Sequence, residues 1–331
     1  MSNSFRGKDL LTCQEWTIEE LETIFELAKD LKIRFKSGEQ HELLRNKTFF
    51  MFFYATSTRT RNSFEAAMTQ LGGHAHYLEP RMLRLGDPSA KEAIKDTVKV
   101  LERYGHGIGI RVYTPRYGEG EQIIREYARW SEIPVISMES DVYHPCQALA
   151  DMLTIKEKIP RYEGKKYVQA WAYSPGALRV PAVPQSNVLM TTRYGMDVVY
   201  VRPPEFTLDS KIIEQAKANA EVSGGTFTET ENLEEAFDGA HVIYMRNHCT
   251  LDRGQIGDQA ELGIISKYKD WTCTQKLMDS TEKNSIFMHC LPADRGYEVT
   301  DEVMDGPHSV IFDEAENRLH VQKAVLSLVM Q

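Results

Sequence analysis

The sequence predicts an α/β fold of two doubly wound parallel-sheet domains, and three observations carry that prediction. Short apolar runs alternate with segments whose apolar residues recur at helical spacing, the pattern of repeated βαβ units. At 331 residues the chain exceeds what one hydrophobic core usually organises. A basic, glycine-containing stretch, Arg161–Lys166, then introduces a second series of strands.

The predicted strands, in order, are Thr48–Tyr54, Ile108–Val112, Val135–Met138, Tyr167–Ala172, Asp197–Val201, His241–Met245, Ser285–His289 and Val310–Phe312. Each is a short apolar run of the kind buried on both faces of a parallel sheet. The first helix should span Thr17–Phe35, with Thr17 and Glu20 as a capping box, and should lie across the sheet. Further helical patterns cover Asn62–Leu71, Glu92–Tyr104, Glu121–Trp130, Gln147–Lys158, Ser210–Ala220, Leu233–Phe237 and Glu316–Met330. The domain boundary falls near 145–160, so residues 1–150 with the final helix 316–331 form one domain and 151–315 the other. Between strand and helix, Ser174–Pro184 holds three prolines and reads as a rigid surface loop or as a substrate loop.

Composition narrows the function. A formal charge of -9 argues against a broad nucleic-acid face, so any anion site must be local. The longest apolar stretch, Thr48–Ala55, is far shorter than the roughly 20 residues a membrane span needs, and the expectation is a cytoplasmic enzyme. Five scattered cysteines without CxxC spacing predict reduced thiols and no metal site, and no cofactor is expected.

The densest chemistry is Ser57-Thr58-Arg59-Thr60-Arg61, where an apolar strand passes into the helix carrying Phe64, Ala67, Met68 and Leu71. Unpaired backbone N–H groups and the helix dipole favour an anion there, and Arg59 offers a planar fork to phosphate oxygens. An N-cap followed by solvated arginines is the blander alternative. His144-Pro145-Cys146-Gln147 follows another strand, and Arg111 ends a third, all at the carboxyl edge where such sheets bind ligands. His144 and Gln147 could equally cap or pack. In the second half His289-Cys290-Leu291-Pro292 ends a strand, and nothing nearby in sequence would activate Cys290 as a nucleophile.

In these motifs the chain resembles the aspartate/ornithine carbamoyltransferase family over nearly its whole length. Ser57–Arg61 matches the family's S-x-R-T-R, His144–Gln147 its H-P-x-Q, His289–Pro292 its H-C-L-P, and Asp313-Glu314-Ala315-Glu316-Asn317-Arg318-Leu319-His320 agrees in order and spacing. The last two point to the ornithine-type branch. The resemblance implies that residues 1–150 bind carbamoyl phosphate and 151–315 the second substrate. Ser57, Thr58, Arg59 and Thr60 would hold the phosphate. Arg111, His144 and Gln147 would grip the carbamoyl group, Arg318 would add charge, and Cys290 with Leu291 would contact the carbamoyl amide. Arg59, Arg111, His144 and Cys290 are the expected catalytic set. The resemblance also implies a homotrimer with active sites shared between subunits, to which Glu79–Pro88, with Arg81, Arg84 and Asp87, would contribute a loop.

The acceptor is where the chain departs from its relatives. Ornithine enzymes carry an Asp-x-x-x-Ser-Met-Gly loop that this chain replaces with Met245-Arg246-Asn247-His248-Cys249-Thr250-Leu251. The proline-rich segment resembles the loop of the knotted branch, whose members use N-acylated ornithines, yet that branch has Lys-Ser-Trp at the Arg246 position and Lys in place of Glu298. Arg246 suits a carboxylate and Asn247 an amide or ureido group. Glu139, Arg179, Arg246, Asn247 and Leu291 are therefore the expected second-substrate residues, and a ureidoglycine-type acceptor the first expectation, ahead of N-acetylornithine, N-succinylornithine or ornithine. Arg246 could instead make a surface salt bridge. From other classes, a non-catalytic metabolite-sensing scaffold would be expected to have lost some of Ser57, Arg59, His144, Gln147 and Arg318. A dehydrogenase would need a G-x-G-x-x-G turn that no strand precedes.

Overall fold

Thr48–Phe53 is too uniformly apolar for a half-exposed strand, and five of its six residues are buried. It forms β1 of a parallel sheet that also contains β2 (His74–Leu78), β3 (Gly107–Arg111) and β4 (Val135–Glu139), in the order β2-β1-β3-β4. The computed structural model describes residues 5–80 and 92–331. The chain divides into two compact units, one built from Met1–Thr114, Gly118–Ala150 and Glu316–Gln331, the other from Pro115–Tyr117 and Asp151–Ala315.

In the first unit Gly109 has a packing reason: a Cβ there would lie 2.6 Å from the Phe49 ring. Phe52, Ile108, Ile110, Ile124, Tyr127 and Val135 pack into a core on the same sheet. The first helix, Ile18–Ser37, starts at Thr17 with the full capping box and stops at Gly38 in the left-handed conformation (φ 74°).

The second unit has β5 (Lys166–Trp171), β6 (Asp197–Val201), β7 (Thr226–Thr230), β8 (Val242–Arg246) and β9 (Ile286–Met288), all parallel, in the order β7-β6-β5-β8-β9. Val168, Ala170, Val201, Ile243, Met245 and Phe287 are among its core residues. Two parallel sheets flanked by helices are the α/β class that the sequence predicts.

Three local expectations change. Residues 74–78 and 226–230, unassigned from sequence, are edge strands; their partly exposed residues and polar composition hide them from a search for apolar runs. Val310–Phe312, predicted as a strand, instead enters the helix Ile311–Val329, with Asp313 and Glu314 in its first turn, and only the preceding Ser309 makes an isolated bridge, to Phe287. The proline-rich segment ends inside a helix, Ala182–Arg193, with Pro181 as its N-cap residue and Pro184 in its first turn. All five cysteines are buried free thiols. Among the described residues no helix is long and apolar enough to cross a membrane.

Candidate active site

In the first unit the helix Thr58–Gln70 starts where β1 ends, and Ser57 is its N-cap, accepting the Thr60 N–H at 3.2 Å. The Ser57 hydroxyl thus has a capping role as well as its expected place at a phosphate. Thr58 is exposed, Arg59 half-buried and Thr60 fully buried. Arg61, the motif's other arginine, lies with Glu65 at 2.9 Å and over the Tyr77 ring at 4.1 Å.

The β3–β4 ladder shifts register after Ile110, so that Arg111 stands opposite Glu139 rather than Met138. Their side chains form a buried ion pair. Arg111 also reaches the Thr60 hydroxyl at 3.5 Å, and His144 Nε2 lies 3.6 Å from Glu139. Pro145 opens the helix that carries Gln147, whose side-chain oxygen accepts from Arg318; Arg318 Nη2 donates to Thr60 at 3.2 Å. Thr60, Arg111, Glu139, His144, Gln147 and Arg318 are therefore one connected buried cluster. It holds two guanidiniums against one carboxylate, beside a helix N-terminus. Arg111 Nε and Arg318 Nε are buried and find no acceptor among the described residues. Such an arrangement has the chemistry to hold an anion with directed donors. Glu139, expected with the second-substrate residues, belongs to this cluster.

In the second unit β8 ends at Arg246, which is buried and donates to Cys290 Sγ. Burial pushes the Cys290 thiol up to about 11, with Arg246 opposing the shift, so the residue is a thiol at neutral pH. Leu291 sits in the left-handed region (φ 57°), and its N–H donates to His289 Nδ1 at 2.9 Å. Asn247 is fully buried: its N–H donates to Glu298 at 2.8 Å and its Nδ2 to the Ala172 carbonyl at 3.0 Å, while Oδ1 finds no donor among the described residues.

Glu298 organises this region. It also accepts the Asp294 N–H at 2.8 Å, lies 2.8 Å from Arg179 Nη1 and 3.5 Å from His289 Nε2. Burial pushes its carboxyl up, but His289, Arg179 and Arg246 more than offset this and hold it well below the ordinary carboxylate range. Arg179 pairs with Asp294 as well, at 3.0 Å, and Asp294 accepts from Ser174. Neither pairing of Arg179 is legible in the sequence: Asp294 and Glu298 lie more than 100 residues beyond it, and no local spacing signals that they meet. The Glu79–Pro88 loop falls almost wholly outside the described residues.

The chain is similar to known proteins over nearly its whole length. Residues 8–157 match the family model "Aspartate/ornithine carbamoyltransferase, carbamoyl-P binding domain" and residues 181–329 its "Asp/Orn binding domain". The chain is 42% identical over 327 residues to an ornithine carbamoyltransferase of Pyrococcus abyssi, covering 99% of this chain and 97% of the relative. Among solved structures, the ornithine carbamoyltransferase of Pyrococcus furiosus superposes with a TM-score of 0.87 at 41% identity, covering 99% and 98% of the two chains. An acetylornithine transcarbamylase in complex with acetylcitrulline gives a TM-score of 0.90 at 35% identity, covering 98% and 99%. With both domain models matched and near-complete coverage of these relatives, the chain belongs to the aspartate/ornithine carbamoyltransferase family and is a carbamoyltransferase.

Proposed function

We propose that the enzyme moves the carbamoyl group of carbamoyl phosphate to the side-chain amine of an N-acylated ornithine-like amino acid, releasing phosphate. The observation that carries the acceptor half is the buried pair Arg246 and Asn247 at the end of β8. A buried guanidinium repels the free α-ammonium of ornithine, whereas the Asn247 carbonyl, which finds no donor among the described residues, suits the N–H of an acylated amine. The names of the relatives point to ornithine and N-acetylornithine rather than to the ureidoglycine-type acceptor expected from the sequence. Free ornithine is the second reading, favoured by relatives at 42% identity. Likeness to acetylornithine transcarbamylase and the prolines of 174–184 support placing the chain with the knotted branch. A homotrimer, the family's arrangement, is the proposed assembly.

The uncharged amine attacks the carbamoyl carbon, its electron pair forming the new C–N bond. The carbonyl oxygen becomes an oxyanion, which collapses as the C–O bond to phosphate breaks; the amine's surplus proton leaves with phosphate or solvent. We assign Arg59, Thr60 and the helix N-terminus with Ser57 and Thr58 to the phosphate. Arg111 and His144 stabilise the oxyanion, Gln147 orients the carbamoyl group through its bond with Arg318, and Cys290 and Leu291 contact the carbamoyl amide. Arg179, held by Asp294 and Glu298, borders the acceptor.

Phosphate release with carbamoyl phosphate and a panel of ornithine, N-acetylornithine, N-succinylornithine, ureidoglycine and oxamate tests both halves. N-Acylornithines should turn over fastest, and Arg59→Ala should abolish release in a folded protein. Silence with every amine would sink the proposal; preference for free ornithine would sink the acceptor.

A further inference from the structure

Glu314 and Asp151, both buried, lie in different helices, Ile311–Val329 and Pro145–Lys158, and their side chains are hydrogen-bonded to each other. Two carboxylates offer only acceptors, so a bond between them requires a proton. Like charges in contact away from water cannot both persist, which leaves one acid and one carboxylate. The other contacts of Glu314 lead toward the reaction: Oε2 accepts the His289 N–H at 2.8 Å and Oε1 the Tyr244 hydroxyl at 3.2 Å. His289 begins the turn that carries Cys290 and Leu291.

We propose that Asp151 and Glu314 share one proton and that this pair positions the turn 289–292 for carbamoyl transfer. Neither residue need touch substrate: the pair acts through the His289 N–H. The inference rests on the role proposed above for Cys290 and Leu291. The titratable groups facing the pair are Tyr167 on β5, Tyr244 on β8 and Cys290 on the turn, and the cation Arg246 acts on the last two. Burial raises both tyrosines well above their ordinary value and the cysteine to about 11, and the negative charge of the pair adds to each. At neutral pH the pair thus carries one negative charge. Loss of the shared proton leaves two buried carboxylates repelling each other, and the anchor on the turn loosens.

The test compares kcat against pH for wild type, Glu314→Gln, Asp151→Asn and Glu314→Ala. Wild type should lose kcat on the alkaline side. In Glu314→Gln the amide donates to Asp151 and its carbonyl accepts from His289, so kcat at neutral pH should stay within a factor of about three and the alkaline loss should vanish. Asp151→Asn should also flatten the profile. Glu314→Ala should lose kcat by about 100-fold, the cost of a misplaced reacting geometry, with little change in the acceptor KM. An alkaline limb unchanged in Glu314→Gln overturns the proposal, as does full activity in Glu314→Ala. Should the alanine variant fail to fold, the two amide variants still decide. Infrared difference spectroscopy reads the proton without any acceptor: wild type should show a protonated-carboxyl carbonyl band at neutral pH that Glu314→Gln lacks. A missing band in wild type overturns the pair even where the acceptor is right, and a band without turnover isolates failure to the acceptor.

Discussion

Arg318 donates to the Thr60 hydroxyl at 3.2 Å across 258 residues of sequence, while its other terminal nitrogen holds Gln147. One planar fork thus ties the last helix to the first turn of the helix after β1 and to the helix that Pro145 opens. Lysine offers a single ammonium and cannot hold both partners in the same geometry. Arg318→Lys should therefore lower kcat/KM for carbamoyl phosphate by about 100-fold with an unchanged circular dichroism spectrum. A loss under threefold would remove Arg318 from the anion site.

Glu139 neutralises Arg111 and lies near His144, so it competes with an incoming anion for the same charge. Glu139→Gln makes the cluster more positive by one unit at constant shape. The gain is about 1 kcal/mol for a partly screened charge, and calorimetric binding of inorganic phosphate should tighten about fivefold. Weaker binding would mean that Glu139 serves to orient Arg111 instead.

The His248 ring is fully buried, with Nδ1 donating to the Cys249 carbonyl at 2.9 Å and Nε2 2.8 Å from the Tyr200 hydroxyl. Burial, with Arg246 and Arg202 adding to it, lowers its pKa from 6.5 to about 4. Between those values the unfolded chain binds a proton that the folded chain does not, so stability falls as pH falls through the window. The full effect is about 3 kcal/mol. Subtracting denaturant-unfolding curves of His248→Gln from those of wild type should reveal this slope, and parallel curves would contradict it.

Cys290, its thiol pushed up to about 11, should resist iodoacetamide at neutral pH and react only as the protein unfolds. Because the proposed transfer has no covalent step through it, Cys290→Ala should cost no more than about tenfold in kcat, a lost contact rather than a lost nucleophile. Stoichiometric alkylation of the native enzyme with matching inactivation would reverse this assignment.

The sequence by itself determined the parallel-sheet class, because buried strands such as Thr48–Phe53 and Gly107–Arg111 must be apolar on both faces. It also located the helix starts at Ser57–Thr60 and His144–Gln147, since a strand passing into a capped or proline-opened helix is a local signal. Edge strands 74–78 and 226–230 stayed hidden because solvent tolerates their polar residues. Only the tertiary structure decided which charges neutralise one another. The register shift after Ile110 gave Arg111 to Glu139, the turn at 294–298 gave Arg179 to Glu298, and the two helices carrying Asp151 and Glu314 brought two acids into contact. The physical reason is range. Helix starts and strand burial depend on neighbours a few residues away, whereas a buried charge must find its counter-charge wherever the chain returns.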